Sequence, residues 1–370
     1  MAPKWRRTAF LAAAGLAYLG YRALRERSKA DLSGQVALVT GGSRGLGLLL
    51  AREFALQGCR LVICARDAQE LARAQEGLER LGAEVLAVTC DLTERDQAEA
   101  MVARALERFG RIDVLVNSAG IIQVGPLDTM TVEDFESSMA SNFMGAVYTT
   151  LAVLPQMRER GEGRITNITS IGGRVPAPHL LPYDAAKFAF RGFSHGLRAE
   201  LAREGIVVTT IVPGLMRTGS PVNAMFKGHQ AAEFTWFSIA DSLPWLSIDA
   251  EQAARCIVDA TRRGDVELTL TGRARLLGMV HDLFPAFTLK VLDLGNRLLP
   301  GPAEHSRLMR GMELATRFAP SWLTRLTNEA ALRYNEFGGV HHPSERHARQ
   351  VGLADEPYRA LEPELGRSRE

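Results

Sequence analysis

Residues Gln35–Gly47 limit the fold of this chain more than any other stretch. A β-rich run, Gln35–Thr40 (QVALVT), leads directly into Gly41-Gly42-Ser43-Arg44-Gly45-Leu46-Gly47, and the chain then turns helical through Leu48–Leu56 and stops at Gly58. Strand, glycine turn and helix in that order suit a dinucleotide. Glycines let the backbone approach a pyrophosphate, and the helix start offers unpaired N–H groups. A tight βα turn with no ligand looks the same locally.

The rest of the chain separates the two. Arg60–Ala65 (RLVICA) reads as a second strand, Glu70–Leu81 as a helix, Glu84–Cys90 as a strand ending at Asp91, Glu94–Phe109 as a helix, and Ile112–Asn117 as a strand. Val132–Arg160 reads as one long helix containing Asn142, Arg164–Thr169 as a strand, Tyr183–Arg203 as a helix, and Ile206–Val212 as a strand ending at Pro213-Gly214. This alternation predicts an α/β, Rossmann-like doubly wound parallel sheet with helices on both faces. Ligands of such sheets bind beyond the carboxyl ends of the strands, where most of the motifs below fall.

Tyr183 and Lys187 are four residues apart, one helical turn on the same face. A phenol near pKa 10 is a poor acid–base catalyst at neutral pH, and a neighbouring ammonium lowers it by about 1–3 pH units. Ser170, at the end of a strand, offers a hydroxyl to hold a carbonyl oxygen while Tyr183 protonates it. Taken alone, the Tyr–Lys pair also fits the surface of an amphipathic helix. Asp184 points about 100° away from Tyr183 and is expected in solvent.

Many NAD-binding units carry an acid at the end of the second strand. Here Ala65 and Arg66 stand there, with Arg44 in the glycine turn. Two guanidinium groups and no adjacent carboxylate suit a 2′-phosphate, so NADP(H) is expected over NAD(H). Asp67, one residue on, and simple solvation of both arginines are the counterweights.

With these residues in place, the sequence resembles the short-chain dehydrogenase/reductase family over roughly Leu32 to Gly272. Thr40–Gly47 resembles the cofactor turn TGxxxGxG, and Asp91, with Leu92 beside it, matches the acid that meets adenine. Asn117-Ser118-Ala119-Gly120 matches NNAG, except that Ser118 replaces the second Asn. Pro213-Gly214 with Thr218 matches the segment that contacts the nicotinamide amide, and Asn142, Ser170, Tyr183 and Lys187 match the catalytic tetrad. The resemblance implies Tyr183 as general acid for ketone reduction, or base in reverse. It implies Lys187 as the group that lowers the Tyr183 pKa and binds the nicotinamide ribose. Ser170 would polarise the carbonyl, and Asn142 would hold a water in a proton relay. Ser118 implies one amide contact fewer and lower stability, not lost catalysis.

Charge excludes a nucleic-acid partner. The net charge is +2, yet residues 1–30 hold seven Lys/Arg against one Glu, so the remainder is mildly acidic and has no basic stripe. Lys4, Arg6 and Arg7 precede the uncharged run Thr8–Tyr21, and Arg22, Arg25, Arg27 and Lys29 follow it. That run is shorter than the ~20 residues that span a bilayer, though Arg22 can snorkel and extend it. An uncleaved membrane anchor with the body on the cytosolic side is expected; a cleaved signal, a transit peptide and a cytoplasmic protein are the alternatives. Cys59, Cys64, Cys90 and Cys256 lack metal-ligand spacing and imply no disulfide framework.

Leu215–Leu246 falls where the family places its substrate loop and contains Met216, Met225, Phe226, Phe234, Trp236, Phe237 and Trp245. These suit an adaptable apolar pocket and hence a lipophilic ketone or alcohol substrate, such as a lipid chain, a steroid-like ring or a retinoid. Packing of the loop onto the core accounts for them equally well. After a helix capped by Asp249 and a strand at Val266–Leu270, apolar residues Leu276, Val280, Phe284, Phe287, Val291, Leu294 and Leu298 recur every three or four positions. Pro285 cuts this stripe into two amphipathic helices, expected to pack on protein rather than lipid. A further helical run follows at Leu326–Tyr334. His341, His342 and His347 in the charged tail lack companions for a metal site, so none is expected. The expected organisation is an anchor at 1–31, a catalytic domain at 32–272, a helical extension at 273–337 and a tail at 338–370. A homo-oligomer stays open. The alternative from another class is a nucleotide-binding regulator or membrane scaffold without turnover.

Overall fold

A computed structural model describes residues 29–301, 303, 307–314 and 324–337. The expected anchor through residue 28 and the tail with its three histidines lie outside them. Val36–Thr40 (β1), Arg60–Ala65 (β2), Val85–Thr89 (β3), Val114–Asn117 (β4), Gly163–Ile168 (β5), Ile206–Val212 (β6) and Glu267–Thr269 (β7) form one seven-stranded sheet. The order is β7-β6-β5-β4-β1-β2-β3, and every neighbouring pair is parallel. Strand order reverses between β1 and β4, the kind of switch point where open α/β sheets hold ligands.

The helices are Gly45–Leu56 (α1), Ala68–Glu79 (α2), Arg95–Phe109 (α3), Val132–Met139 (α4), Gly145–Arg160 (α5), Leu181–Leu201 (α6), Gln230–Ser242 (α7), Ala250–Arg263 (α8), Gly272–Leu283 (α9), Pro285–Asn296 (α10) and Arg325–Arg333 (α11). Successive strand residues feed opposite faces. Ala37, Val39, Leu61 and Ile63 pack with Phe54 of α1 and Ile257 of α8. Val36, Leu38, Val62 and Cys64 pack with Met101 of α3 and Val153 of α5. The doubly wound sheet expected from the alternation is the observed fold.

Two elements depart from expectation. The single helix expected over Val132–Arg160 is interrupted, because Ala140–Met144 winds as a wider π turn around Asn142. The C-terminal stripe does break at Pro285, but the α9–α10 hairpin turns its apolar face outward. It docks through the small residues Ala274, Gly278 and Thr288 and through an Arg174–Asp282 ion pair. Leu276, Phe284, Phe287, Leu294 and Leu298 are left exposed. Among the described residues no helix is long and apolar enough to cross a membrane.

Candidate active site

Tyr183 and Lys187 lie on α6, whose first turn contains Pro182, a residue already shaped for that position. Ser170 follows β5. The Ser170 side chain acts on the Tyr183 phenol, favouring its ionised form, and Ser170 Oγ accepts from Gly172 N at 3.0 Å. Lys187 Nζ donates to Ile168 O at 3.2 Å and stands 5.7 Å from the Tyr183 ring centroid. Burial pushes the phenol up to about 12 and the ammonium down to about 8. The expected acidification of Tyr183 by Lys187 is therefore not seen: desolvation outweighs the lowering influence of Ser170, and the ammonium is engaged with a backbone carbonyl.

Asn142 is buried in the π turn. Its Oδ1 accepts from Ile121 N at 3.2 Å, and its Nδ2 donates to Ile121 O at 2.9 Å and Ser138 O at 3.2 Å. The side chain thus fastens the α4–α5 junction to the segment after β4. Gly120 passes between the two functional groups. A Cβ there would strike Asn142 Oδ1 and come within 3.6 Å of Lys187 Nζ.

The glycine turn adjoins this cluster. Gly41, at φ +68°, approaches so closely that a Cβ would lie 3.0 Å from Ala119 Cα. Thr40 Oγ1 ties the two loops together, accepting from Ser118 N at 2.9 Å and Ala119 N at 3.1 Å. Asn117 is buried in a polar network, donating to Thr150 Oγ1 at 3.0 Å and Asn167 Oδ1 at 2.9 Å while accepting from Thr149 Oγ1 at 2.7 Å. Asp91 Oδ1 accepts from Thr93 N at 3.0 Å, and the Leu92 carbonyl lies against Gly145. Pro213 O accepts from Ile171 N at 2.7 Å, which holds the Ser170 loop beside Gly214. Thr218 is buried and accepts from Ser220 N at 3.3 Å.

Two expectations need correction. Asp184 is not in solvent; its side chain is 2% exposed, with one oxygen accepting from Ala177 N at 2.6 Å and the other unpartnered. The loop before α6 folds back over it, and burial pushes its carboxyl up to about 8. The arginines at the turn are not free of carboxylates either. Arg44 pairs with Glu70 at 3.1 Å and Glu336 at 3.3 Å, and Ser43 Oγ donates to Glu70 at 3.2 Å, while Arg66 is exposed at the end of β2. In the expected substrate loop, packing accounts for Phe226, Phe234 and Phe237, which are core residues clustered with Val124 and Leu314, the Phe226 ring lying edge to face with each of the other two. Met216 and Met225 remain partly accessible, and Trp245 is exposed. Glu70, Asn335 and Glu336 around the glycine turn carry no local sequence signal, since each arrives there through packing of distant segments.

A parallel sheet with its switch point under a glycine turn, and a hydroxyl–phenol–ammonium cluster beside it, defines a dinucleotide-binding α/β protein. The chain belongs to the short chain dehydrogenase family, a family of oxidoreductases, whose model matches residues 35–225. It is 38% identical to a dehydrogenase/reductase SDR family protein 7-like of Anopheles gambiae, over 54% of this chain and 65% of that relative's own length. It is 39% identical to a putative ketoacyl reductase of Streptomyces coelicolor, over 53% of this chain and 75% of the relative. Among solved structures, a variant of actinorhodin polyketide ketoreductase with NADPH is 31% identical, with a TM-score of 0.57 over 65% of this chain and 97% of that one.

Proposed function

We propose that the protein interconverts a lipophilic ketone and its secondary alcohol, with NADP(H) as cofactor in preference to NAD(H). The meeting of Ser170, Tyr183 and Lys187 beside Gly120 and the glycine turn carries this reading. The turn fits a dinucleotide, because bare glycine backbone at Gly41 and Gly47 lets strand end and helix start approach more closely than a Cβ would allow. When bound, the nicotinamide supplies or accepts the hydride. The chain's own groups do the rest. Ser170 Oγ–H holds the carbonyl oxygen, Tyr183 gives that oxygen its proton and takes it back in the reverse direction, and Lys187 would hold the ribose hydroxyls. Asn142 positions the segment that carries Ile121.

Thr40, Gly41, Ser43 and Gly45–Gly47 would hold the pyrophosphate, Asp91 and Leu92 the adenine, and Pro213 and Gly214 with Thr218 the nicotinamide amide, with Asn117, Ala119 and Gly120 forming the floor. Arg66 and Arg44 would take a 2′-phosphate, and the NADPH named with the related ketoreductase supports that choice. The names of two relatives as ketone reducers support the reaction, and Met216, Met225 and Trp245 support a lipophilic substrate. Residues 32–272 form the catalytic unit and 273–337 its extension; the uncharged run Thr8–Tyr21 supports attachment to a membrane, and we place that unit on the cytosolic side.

The test is Tyr183→Phe, assayed with NADPH and a panel of lipophilic ketones at the nicotinamide absorbance band. Turnover should fall by about 10²–10⁴-fold while the NADPH Kd stays unchanged. Retained turnover would move the acid role to another group.

A further inference from the structure

The last described segment returns to the glycine turn. Helix α11 is fixed on α7 by Thr327 Oγ1 donating to Asp241 Oδ2 at 2.8 Å, and Ala331 lies against Gly219, where no side chain would fit. The residues after α11 then lie down on the turn itself. Tyr334 O accepts from Gly45 N at 2.9 Å, one of the N–H groups that α1 leaves free at its start. Asn335 Nδ2 donates to Ser43 O at 2.8 Å and Glu70 O at 3.0 Å, and its Oδ1 accepts from Arg73 Nε at 2.9 Å. The Glu336 carboxylate faces Arg44 Nε at 3.3 Å and accepts from Asn223 Nδ2 at 2.7 Å. Its Oε1 lies 2.5 Å from the point a Cβ on Gly45 would occupy, and Thr218 Cβ lies 4.0 Å from that same point.

We propose that Tyr334–Glu336 is a strap that competes with the dinucleotide for the glycine turn, its Glu336 carboxylate seated where the pyrophosphate would bind, so that cofactor enters only as the strap leaves. This rests on the dinucleotide reading above. A helix start beside an arginine attracts any anion, and here the anion is supplied by the chain. A lid closing over bound cofactor would lie above the phosphates. This strap instead takes a hydrogen-bond donor and the space they need. Its hold is also modest: Glu336 is 3% exposed, shares Arg44 with Glu70, and is pushed up to about 7 by burial. A pyrophosphate brings more charge to the same donors.

The experiment compares the full chain, Glu336→Ala and a chain ending at Arg333 for NADPH and NADH Kd by calorimetry. Hydrogen exchange of residues 334–337 is then followed in the full chain with and without saturating NADPH. Both variants should bind NADPH on the order of tenfold tighter, and NADPH should speed exchange in the strap. Unchanged or weaker binding by the variants, or slower exchange in the strap, overturns the proposal. Should the truncated chain not fold, Glu336→Ala with the exchange measurement decides. If all three proteins bind neither NADPH nor NADH, the dinucleotide reading itself falls, a result distinct from equal affinities.

Discussion

Replacing Asp184 with Asn probes a carboxyl that the fold buries beside the functional phenol. In the folded chain burial pushes this group from an ordinary 3.8 to about 8. Because the folded value is the higher one, the native state keeps a proton that the unfolded chain releases. The stabilisation is complete below about pH 4 and is lost as pH rises to about 8. That interval is about four pH units at about 1.36 kcal/mol each, a ceiling of roughly 5 kcal/mol. Relaxation and water entry bring the measurable effect below this ceiling. Asn cannot ionise, still offers an oxygen to Ala177 N, and places an NH₂ where the protonated carboxyl has its OH. Urea unfolding of both proteins between pH 4 and 8 should give equal stabilities at the acid end. By pH 8 the variant should lead by at least about 2 kcal/mol. A difference that stays flat across this range would refute the buried-carboxyl argument. Negative charge at Asp184 also raises the Tyr183 phenol, so the variant's rate profile should move to lower pH.

Phe226→Ala should cost about 3–5 kcal/mol in urea unfolding, because its fully buried ring meets Phe234 at 5.5 Å and Phe237 at 6.0 Å; a loss below about 1 kcal/mol would mean that this cluster does not hold the loop. Arg44→Ala combined with Arg66→Ala should raise the NADPH Kd at least about tenfold more than the NADH Kd. The ratio is the readout, since loss of the Arg44–Glu336 pair alters both cofactors alike, and equal changes would end the 2′-phosphate argument. Deleting residues 1–30 should move the protein from the membrane to the soluble fraction on sedimentation. Retention at the membrane would shift attention to the exposed stripe on α9 and α10.

Near-neighbour rules were enough for the sheet and for the turn at Gly41–Gly47. The apolar β-rich runs at Val36–Thr40 and Arg60–Ala65, the Asp249 cap and the break at Pro285 all act within a few residues, and each appears where the sequence puts it. The spacing of Tyr183 and Lys187 likewise fixed their shared face. It could not reveal that burial is the main influence on both pKa values, because desolvation depends on everything packed around a group. Helical geometry sets Asp184 about 100° round the helix from Tyr183, but only the folded-back loop at Ala177 decided that this position leads inward. Periodicity found the stripe on α9 and α10, yet which side faces the domain depended on Ala274, Gly278 and the Arg174–Asp282 pair. The longest-range case is at the cofactor turn, where Asn335 reaches Ser43 across 292 positions. Local sequence determines which backbone shapes are available, whereas the occupant of the space beside Gly45 is chosen by the packing of α11 on α7, a contact between segments that carry no record of each other.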